Sequence, residues 1–290
     1  MNKKIHRITD HPCFNADVKG KYGRIHLAVA PRCNIRCNYC NRLHDCPNES
    51  RPGVTSRVYT PAAALAHLGR VMKNMPHISV VGIAGPGDPL ANPEDTFGTL
   101  ALVRERYPQL LLCLSTNGLL AVDHLDDIIS SGINHLSLTV NAVDSELGAK
   151  IYKWVRLDGR TYRGVEAAEV LLERQLDAIR RLKRAGLTVK INTVVIPGIN
   201  DFHVLDVVKK MRGLSVDLLN LMPLYPVEGT AFQHVPEPSH CEIMALRRKA
   251  RAYIPQMSHC SRCRADAVGL IGKDDPKDLN ESLLGKLACN

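Results

Sequence analysis

Six short apolar runs, at 25–30, 78–84, 110–116, 135–141, 188–196 and 218–224, are separated by stretches with helical spacing at 61–73, 94–106, 122–131, 165–185 and 202–211. Repeated strand-then-helix order needs crossover connections, so the strands run parallel and the helices cover them. Gly132 and Gly186 each follow a helical stretch, where a left-handed cap would sit. Along the strands, residues alternate with a period of two. One face collects His26, Ala28, Cys113, Ser115, Asn117, Ser137, Thr139, Asn141, Lys190 and Asn192, and the other is aliphatic, from Ile25, Leu27 and Val29 to Val189 and Ile191. A closed eight-stranded barrel fills its interior with branched apolar side chains. A polar inner face instead implies a cavity, and an incomplete barrel of about six strands gives the wider lumen. The expected fold is therefore α/β, a partial (β/α)6 TIM-like barrel over 25–227. An N-terminal extension over 1–24 precedes it, and a C-terminal extension over 228–290 follows, where alternation stops and a last helical pattern covers 279–287.

Four of the ten cysteines fall within the stretch CNIRCNYCNRLHDC, 33–46. A disulfide framework, a zinc site and an iron-sulfur cluster compete to explain them. With 290 residues, 45% of them hydrophobic, the chain can bury a core without staples. Its start, MNKKIHRITDHPCF, lacks the apolar segment of a signal peptide, and no run approaches the roughly 18 apolar residues of a membrane helix. A cytoplasmic protein without membrane contact is expected, and there clustered cysteines serve metals or catalysis. Cys33, Cys37 and Cys40, spaced C-x3-C-x2-C directly after the first strand, would leave one iron of a four-iron cluster open. Zinc is the rival, because Cys46 or His44 could complete a tetrahedron, although structural zinc sites favour two separated pairs.

The formal charge is +9 and the pI about 9.1, yet Lys and Arg are spread along the chain. The one dense group, Arg180, Arg181, Lys183 and Arg184, ends a helical stretch, where cations oppose the macrodipole. Aromatic residues make up only 4%, which leaves few platforms for stacked bases. No nucleic-acid partner is expected, and the charge suits anionic ligands.

The cysteine loop after the first strand of a partial barrel resembles the radical S-adenosylmethionine (SAM) superfamily, with Tyr39 at the aromatic position before the third cysteine. In that superfamily the open iron binds the amino and carboxylate groups of SAM. GIAGPGDP, 82–89, stands where a glycine-rich segment contacts the SAM amino group, which makes Gly85, Gly87 and Asp88 candidate contacts. HPCF at 11–14, VAPRCNIRCNYCNR at 29–42, DCPNESRPGVTS at 45–56, GIAGPGDPLANP at 82–93, CLSTNGL at 113–119, IPGIND at 196–201 and CSRCRADAVGLIG at 260–272 together resemble the NifB family of nitrogenase cofactor maturases, in family order.

This resemblance implies a catalytic 4Fe-4S cluster on Cys33, Cys37 and Cys40 with SAM bound to it, and two further 4Fe-4S clusters as substrates. Cys13, Cys260 and Cys263 would hold one substrate cluster. Cys46 and Cys113 would hold the other with a histidine, His26 being favoured over His11 because it shares the lumen face. Glu49 and Arg51 are candidates for orienting substrate or SAM, and Ser115, Asn117 and Asn192 for hydrogen bonds to SAM. The implied activity is fusion of the two clusters with insertion of a SAM-derived carbide and a sulfur, giving the eight-iron precursor of the iron-molybdenum cofactor. An electron donor and a cofactor carrier or scaffold protein are the implied partners of a monomeric enzyme. The family's C-terminal carrier domain is expected to be absent, and Cys241 and Cys289 read as spare thiols. One alternative is another radical SAM enzyme, with fixed auxiliary clusters, acting on a small molecule or peptide. The other is a non-enzymatic zinc or nucleic-acid-binding protein.

Overall fold

In the computed structural model the described residues are 8–272. Ten strands and seven α-helices follow one another as β1 (Gly23–His26), β2 (Ile35–Cys37), α1 (Pro61–Asn74), β3 (Ile78–Ile83), α2 (Pro93–Arg106), β4 (Leu111–Thr116), α3 (Leu125–Ser130), β5 (His135–Thr139), α4 (Ser145–Ile151), β6 (Tyr152–Leu157), β7 (Arg160–Tyr162), α5 (Gly164–Arg184), β8 (Thr188–Val195), α6 (Val204–Gly213), β9 (Leu218–Pro223), α7 (His240–Ala250) and β10 (Val268–Gly269). The main sheet has seven strands in the order β10-β1-β3-β4-β5-β8-β9. Every neighbouring pair from β1 to β9 is parallel, and only β10 runs antiparallel, against β1. The result is the curled, half-barrel α/β sheet expected from the alternation.

Local chemistry sets the helix ends. Thr60 caps α1 by accepting the Ala63 N–H at 3.4 Å, with Pro61 in the first turn. In α2, Glu94 and Asp95 lie in the first turn and Arg104 and Arg106 in the last, each sign against the opposite end of the dipole. In α5, Ala167, Ala168, Leu171, Gln175, Ala178, Ile179 and Leu182 recur at helical spacing and form its buried face. The aliphatic side of the sheet, including Ile25, Leu27, Leu112, Leu114, Leu136, Val189 and Ile191, packs on α1, α2, α5 and α6 as one core cluster. Full burial of each such side chain contributes roughly 1.5–3 kcal/mol.

Several elements depart from the sequence expectation. The first strand's ladder spans Gly23–His26 rather than 25–30, and beyond it Ala30 makes only an isolated bridge with Pro86. The helix expected over 122–131 covers Leu125–Ser130. A second, three-stranded antiparallel sheet, β2-β6-β7, joins the strand of the cysteine loop to a hairpin that follows α4. Its hairpin turns at Asp158 and Gly159, both with positive φ (50° and 73°), the conformation of a type I′ turn. Beyond residue 228 the helix α7 follows Ser239, which closes a capping box with Glu242. Cys241, on α7, is not a free thiol, while Cys289 and the helical pattern at 279–287 lie outside the described residues.

Candidate functional site

The polar strand faces and the loops at the strands' C-terminal ends enclose two adjoining cavities. The first, about 440 Å³, is lined by Cys33, Cys37, Cys40 and Cys46 with Arg42 and Asp88. Cys37 ends β2, and the Cys40 N–H returns to the Cys37 carbonyl at 3.1 Å. The turn between them is pinned from outside, because the Asn38 N–H donates to the Ile151 carbonyl at 2.8 Å and its side chain to the Lys150 carbonyl at 2.7 Å. The Asn48 amide approaches Cys37 Sγ at 3.8 Å and that of Asn117 approaches Cys33 Sγ at 4.0 Å, so donors are aimed at the sulfurs. Burial pushes the Cys33 thiol up to about 12, with Asp88 adding to the shift, and burial also raises Cys37, Cys40 and Cys46. Thiols in such a site ionise when a metal supplies the missing positive charge.

The 82–89 segment closes one side of this cavity. The Gly87 N–H donates to the Ala30 carbonyl at 2.6 Å, and the Asp88 N–H to the Arg32 carbonyl at 2.8 Å. A Cβ at Gly87 would stand 2.1 Å from the Arg32 oxygen, so only glycine fits this contact. Arg42 donates to the Pro31 and Pro86 carbonyls and thereby ties the cysteine loop to the glycine-rich segment. Tyr39 is fully buried, its hydroxyl donating to Asn48 Oδ1 at 2.5 Å and accepting from the Asn141 amide at 2.6 Å.

The second cavity, about 600 Å³, is lined by Cys13, Cys113, Cys260 and Cys263 together with His11, His26, Arg24, Ser137 and Lys190. Gly82 on β3 pairs with His26 on β1, and a Cβ there would lie 3.1 Å from the imidazole, so glycine leaves the ring its place. His26 Nδ1 lies 3.2 Å from the Arg264 carbonyl. That nitrogen must carry the proton, which makes Nε2 the lone-pair nitrogen, as in ligating imidazoles. His11 has the opposite tautomer, because its Nδ1 accepts the Cys13 N–H at 3.2 Å. Burial lowers the His11 pKa well below the ordinary histidine value, with His135 and Lys190 adding to the shift. Cys113 is pushed up to about 12 by burial, and Cys13 is also raised.

Three residues, Glu49, Ala84 and Ser115, belong to both cavities and form the wall between them. Glu49 pairs with Lys190 (Nζ to Oε1, 3.5 Å) and accepts a hydrogen bond from the Asn192 amide. Asn192 is itself fully buried and also donates to the Asn48 carbonyl at 3.2 Å. Arg51 is on neither lining; its N–H donates to the Cys263 carbonyl at 3.3 Å. Cys46 stands with the three loop thiols and not on the Cys113 cavity.

Sequence alone gives no role to two buried arginines, Arg24 on the second cavity and Arg262 beside it. Arg24, fully buried, donates to Cys263 Sγ at 2.8 Å and to the Gly269 carbonyl at 2.6 Å. Arg262 lies between the C-x2-C cysteines with φ 51° and donates to the carbonyls of Pro223, Pro47 and Ser50. A buried basic residue of this kind leaves no mark in composition, since Arg is ordinarily exposed. Among the described residues, no three His, Cys, Asp or Glu side chains close on a single metal-ion position. The thiols stand around cavities instead, as the larger body of a multi-iron cluster requires, and the donor set of thiolates and one imidazole fits such clusters.

Residues 27–211 match the radical SAM superfamily. The chain is 50% identical over 281 residues to the FeMo cofactor biosynthesis protein NifB of Chlorobaculum tepidum, covering 97% of this chain and 65% of the relative. To NifB of Klebsiella pneumoniae it is 48% identical over 268 residues, covering 91% of this chain and 57% of the relative. The chain thus spans roughly three-fifths of the length of these curated relatives. Among solved structures, Streptococcus suis SuiB bound to SAM aligns with a TM-score of 0.59 at 15% identity, over 83% of this chain and 52% of that one. Methylornithine synthase (PylB) aligns at 0.54 and 19%, over 92% and 79%. At those identities the likeness concerns the fold. No helix among the described residues is long and apolar enough to cross a membrane.

Proposed function

The chain belongs to the radical SAM superfamily, and on that premise we propose that it acts as a NifB-type maturase, fusing two 4Fe-4S substrate clusters around a SAM-derived carbide, with one added sulfur, to form the eight-iron precursor of the nitrogenase iron-molybdenum cofactor. Superfamily membership implies a 4Fe-4S cluster and SAM. The catalytic cluster is assigned to Cys33, Cys37 and Cys40, where it would supply the electron that cleaves SAM reductively. Asn48 and Asn117 steady the thiolates with amide donors. Gly85, Gly87 and Ser115 are assigned to SAM. Asp88, Tyr39 and Asn192 are assigned to holding the elements around it, since their polar atoms are engaged with protein partners.

Cys13, Cys260 and Cys263 hold one substrate cluster in this reading. Cys113 and His26 hold the other, with Cys46 reaching from across the shared wall. His26 is preferred to His11 because its lone pair is on Nε2. Glu49 orients groups at the wall, and Arg51 positions the Cys263 segment through its backbone bond. An electron donor and a carrier or scaffold protein are the partners that the reaction requires.

The observation that carries this reading is the pair of thiol-lined cavities sharing Glu49, Ala84 and Ser115. A radical enzyme with a single cluster needs only the first. Anaerobic reconstitution tests it, with iron and sulfide counted in the parent and in the Cys33→Ala, Cys37→Ala, Cys40→Ala triple variant. About twelve irons falling to about eight is expected for three clusters of four irons. About four irons falling to none would overturn the substrate-cluster assignments.

A further inference from the structure

The second cavity contains more polar equipment than metal ligation uses. Lys190, on β8, is only 4% exposed and has its Nζ 3.5 Å from Glu49 Oε1, beyond the usual hydrogen-bond range of roughly 2.7–3.2 Å. It also lies 5.5 Å above the Phe14 ring. A buried ammonium with one loose carboxylate partner is costly unless a further anion completes its surroundings. Directly opposite in the β5–β8 register is Ser137, 1% exposed, whose hydroxyl has no hydrogen-bond partner among the described residues. Both side chains line the same cavity, and His11 Nε2 on that cavity likewise has no partner among the described residues.

We propose that Lys190 and Ser137 form an anion clasp that binds the sulfide face of a substrate cluster held in this cavity, without ligating iron. The clasp rests on the reading that the cavity takes an iron-sulfur substrate. An iron-sulfur cluster on thiolates is anionic and its sulfides accept hydrogen bonds, which tune clusters through charge and donor placement. The ammonium supplies charge and up to three donors, and the serine one more from the adjacent strand. The same cavity already pairs a cation with sulfur, Arg24 donating to Cys263 Sγ. Because neither residue donates electron pairs to iron, the clasp adds affinity while leaving the cluster removable, as a substrate must be. Lys190 and Ser137 are thus positioning residues.

The test uses the full chain carrying Cys33→Ala, Cys37→Ala and Cys40→Ala, so that only irons outside the catalytic loop report. Lys190→Met, Lys190→Arg and Ser137→Ala are added singly, and release of reconstituted iron to a ferrous chelator and the midpoint potential are read. Lys190→Met should speed iron release at least about tenfold, from the loss of a charge-assisted bond. It should also move the potential to a more negative value, because a nearby cation favours the reduced, more anionic cluster. Lys190→Arg should restore most of both, and Ser137→Ala should show a smaller effect of the same sign. If Lys190→Met leaves Glu49 uncompensated and the protein aggregates, Lys190→Met with Glu49→Gln removes both charges and gives the same readings. Parent-like release and potential in the Lys190 variants would overturn the clasp with the cavity reading intact. No iron in the triple variant would overturn the cavity reading itself, and the clasp with it.

Discussion

Asp88 commits both carboxylate oxygens to the neighbouring strand and its own loop. It accepts the Asn117 N–H at 2.6 Å, the Thr116 hydroxyl at 3.0 Å and the Leu90 N–H at 3.0 Å, all from buried residues. Asp88→Asn would turn an amide N–H₂ toward at least one of these donors. We expect a loss of about 1–3 kcal/mol in urea unfolding of the cluster-free protein, and an unchanged midpoint would refute the brace. At this scale sequence reading separates two kinds of residue. Cysteines announce themselves by spacing, and Cys33, Cys37 and Cys40 do line one cavity. Lys190 and Arg24, by contrast, are ordinary strand residues until the fold places the first beside Glu49 and the second against Cys263. The partners in those contacts are 141 and 239 residues away, which no local pattern encodes.

The small sheet behind the cysteine loop explains how a three-residue strand holds its shape. Ile35, Arg36 and Cys37 pair with Val155, Trp154 and Tyr152 of β6, and Ile35 and Val155 are buried together in a second core cluster. Val155→Asn would put an unsatisfied amide into that cluster, at a cost of about 2–4 kcal/mol. The expected result is faster hydrogen exchange at Ile35 and Cys37 with β5 unchanged, reflecting a local opening rather than global unfolding. Equal protection in variant and parent would detach β6 from this role. The hairpin was readable in principle, because Asp158-Gly159 sits between two runs rich in β-branched and aromatic residues. It is short and interrupted by Lys153, Arg156 and Arg160, so hydropathy alone passes over it. The same holds for α7, whose Ser239 and Glu242 spell a capping box. The long parallel strands were legible because one whole face of each is aliphatic and meets helices.

Over the whole molecule, the two chain ends of the described region meet at the site. His259 lies 2.8 Å from the Pro12 carbonyl, and β10 pairs with β1. Arg262 joins this C-terminal stretch to β9 and to the cysteine loop through three carbonyls. Arg262→Met should leave far-UV circular dichroism unchanged while limited proteolysis begins to cut within 258–267. Continued resistance there would mean that other contacts, such as Ser56 with Asp266 at 2.6 Å, suffice to hold the segment. Glu49, Ala84 and Ser115, as the common partition of two chambers, have an effect that neither chamber has alone. A ligand that displaces Glu49 from one side also changes the wall of the other chamber, so any ligand that moves it would link the two occupancies thermodynamically. Such linkage is reciprocal: the factor by which filling the first chamber changes affinity in the second equals the factor in the reverse direction. The order in which the chambers fill then changes the route to the fully loaded protein but not its total binding free energy.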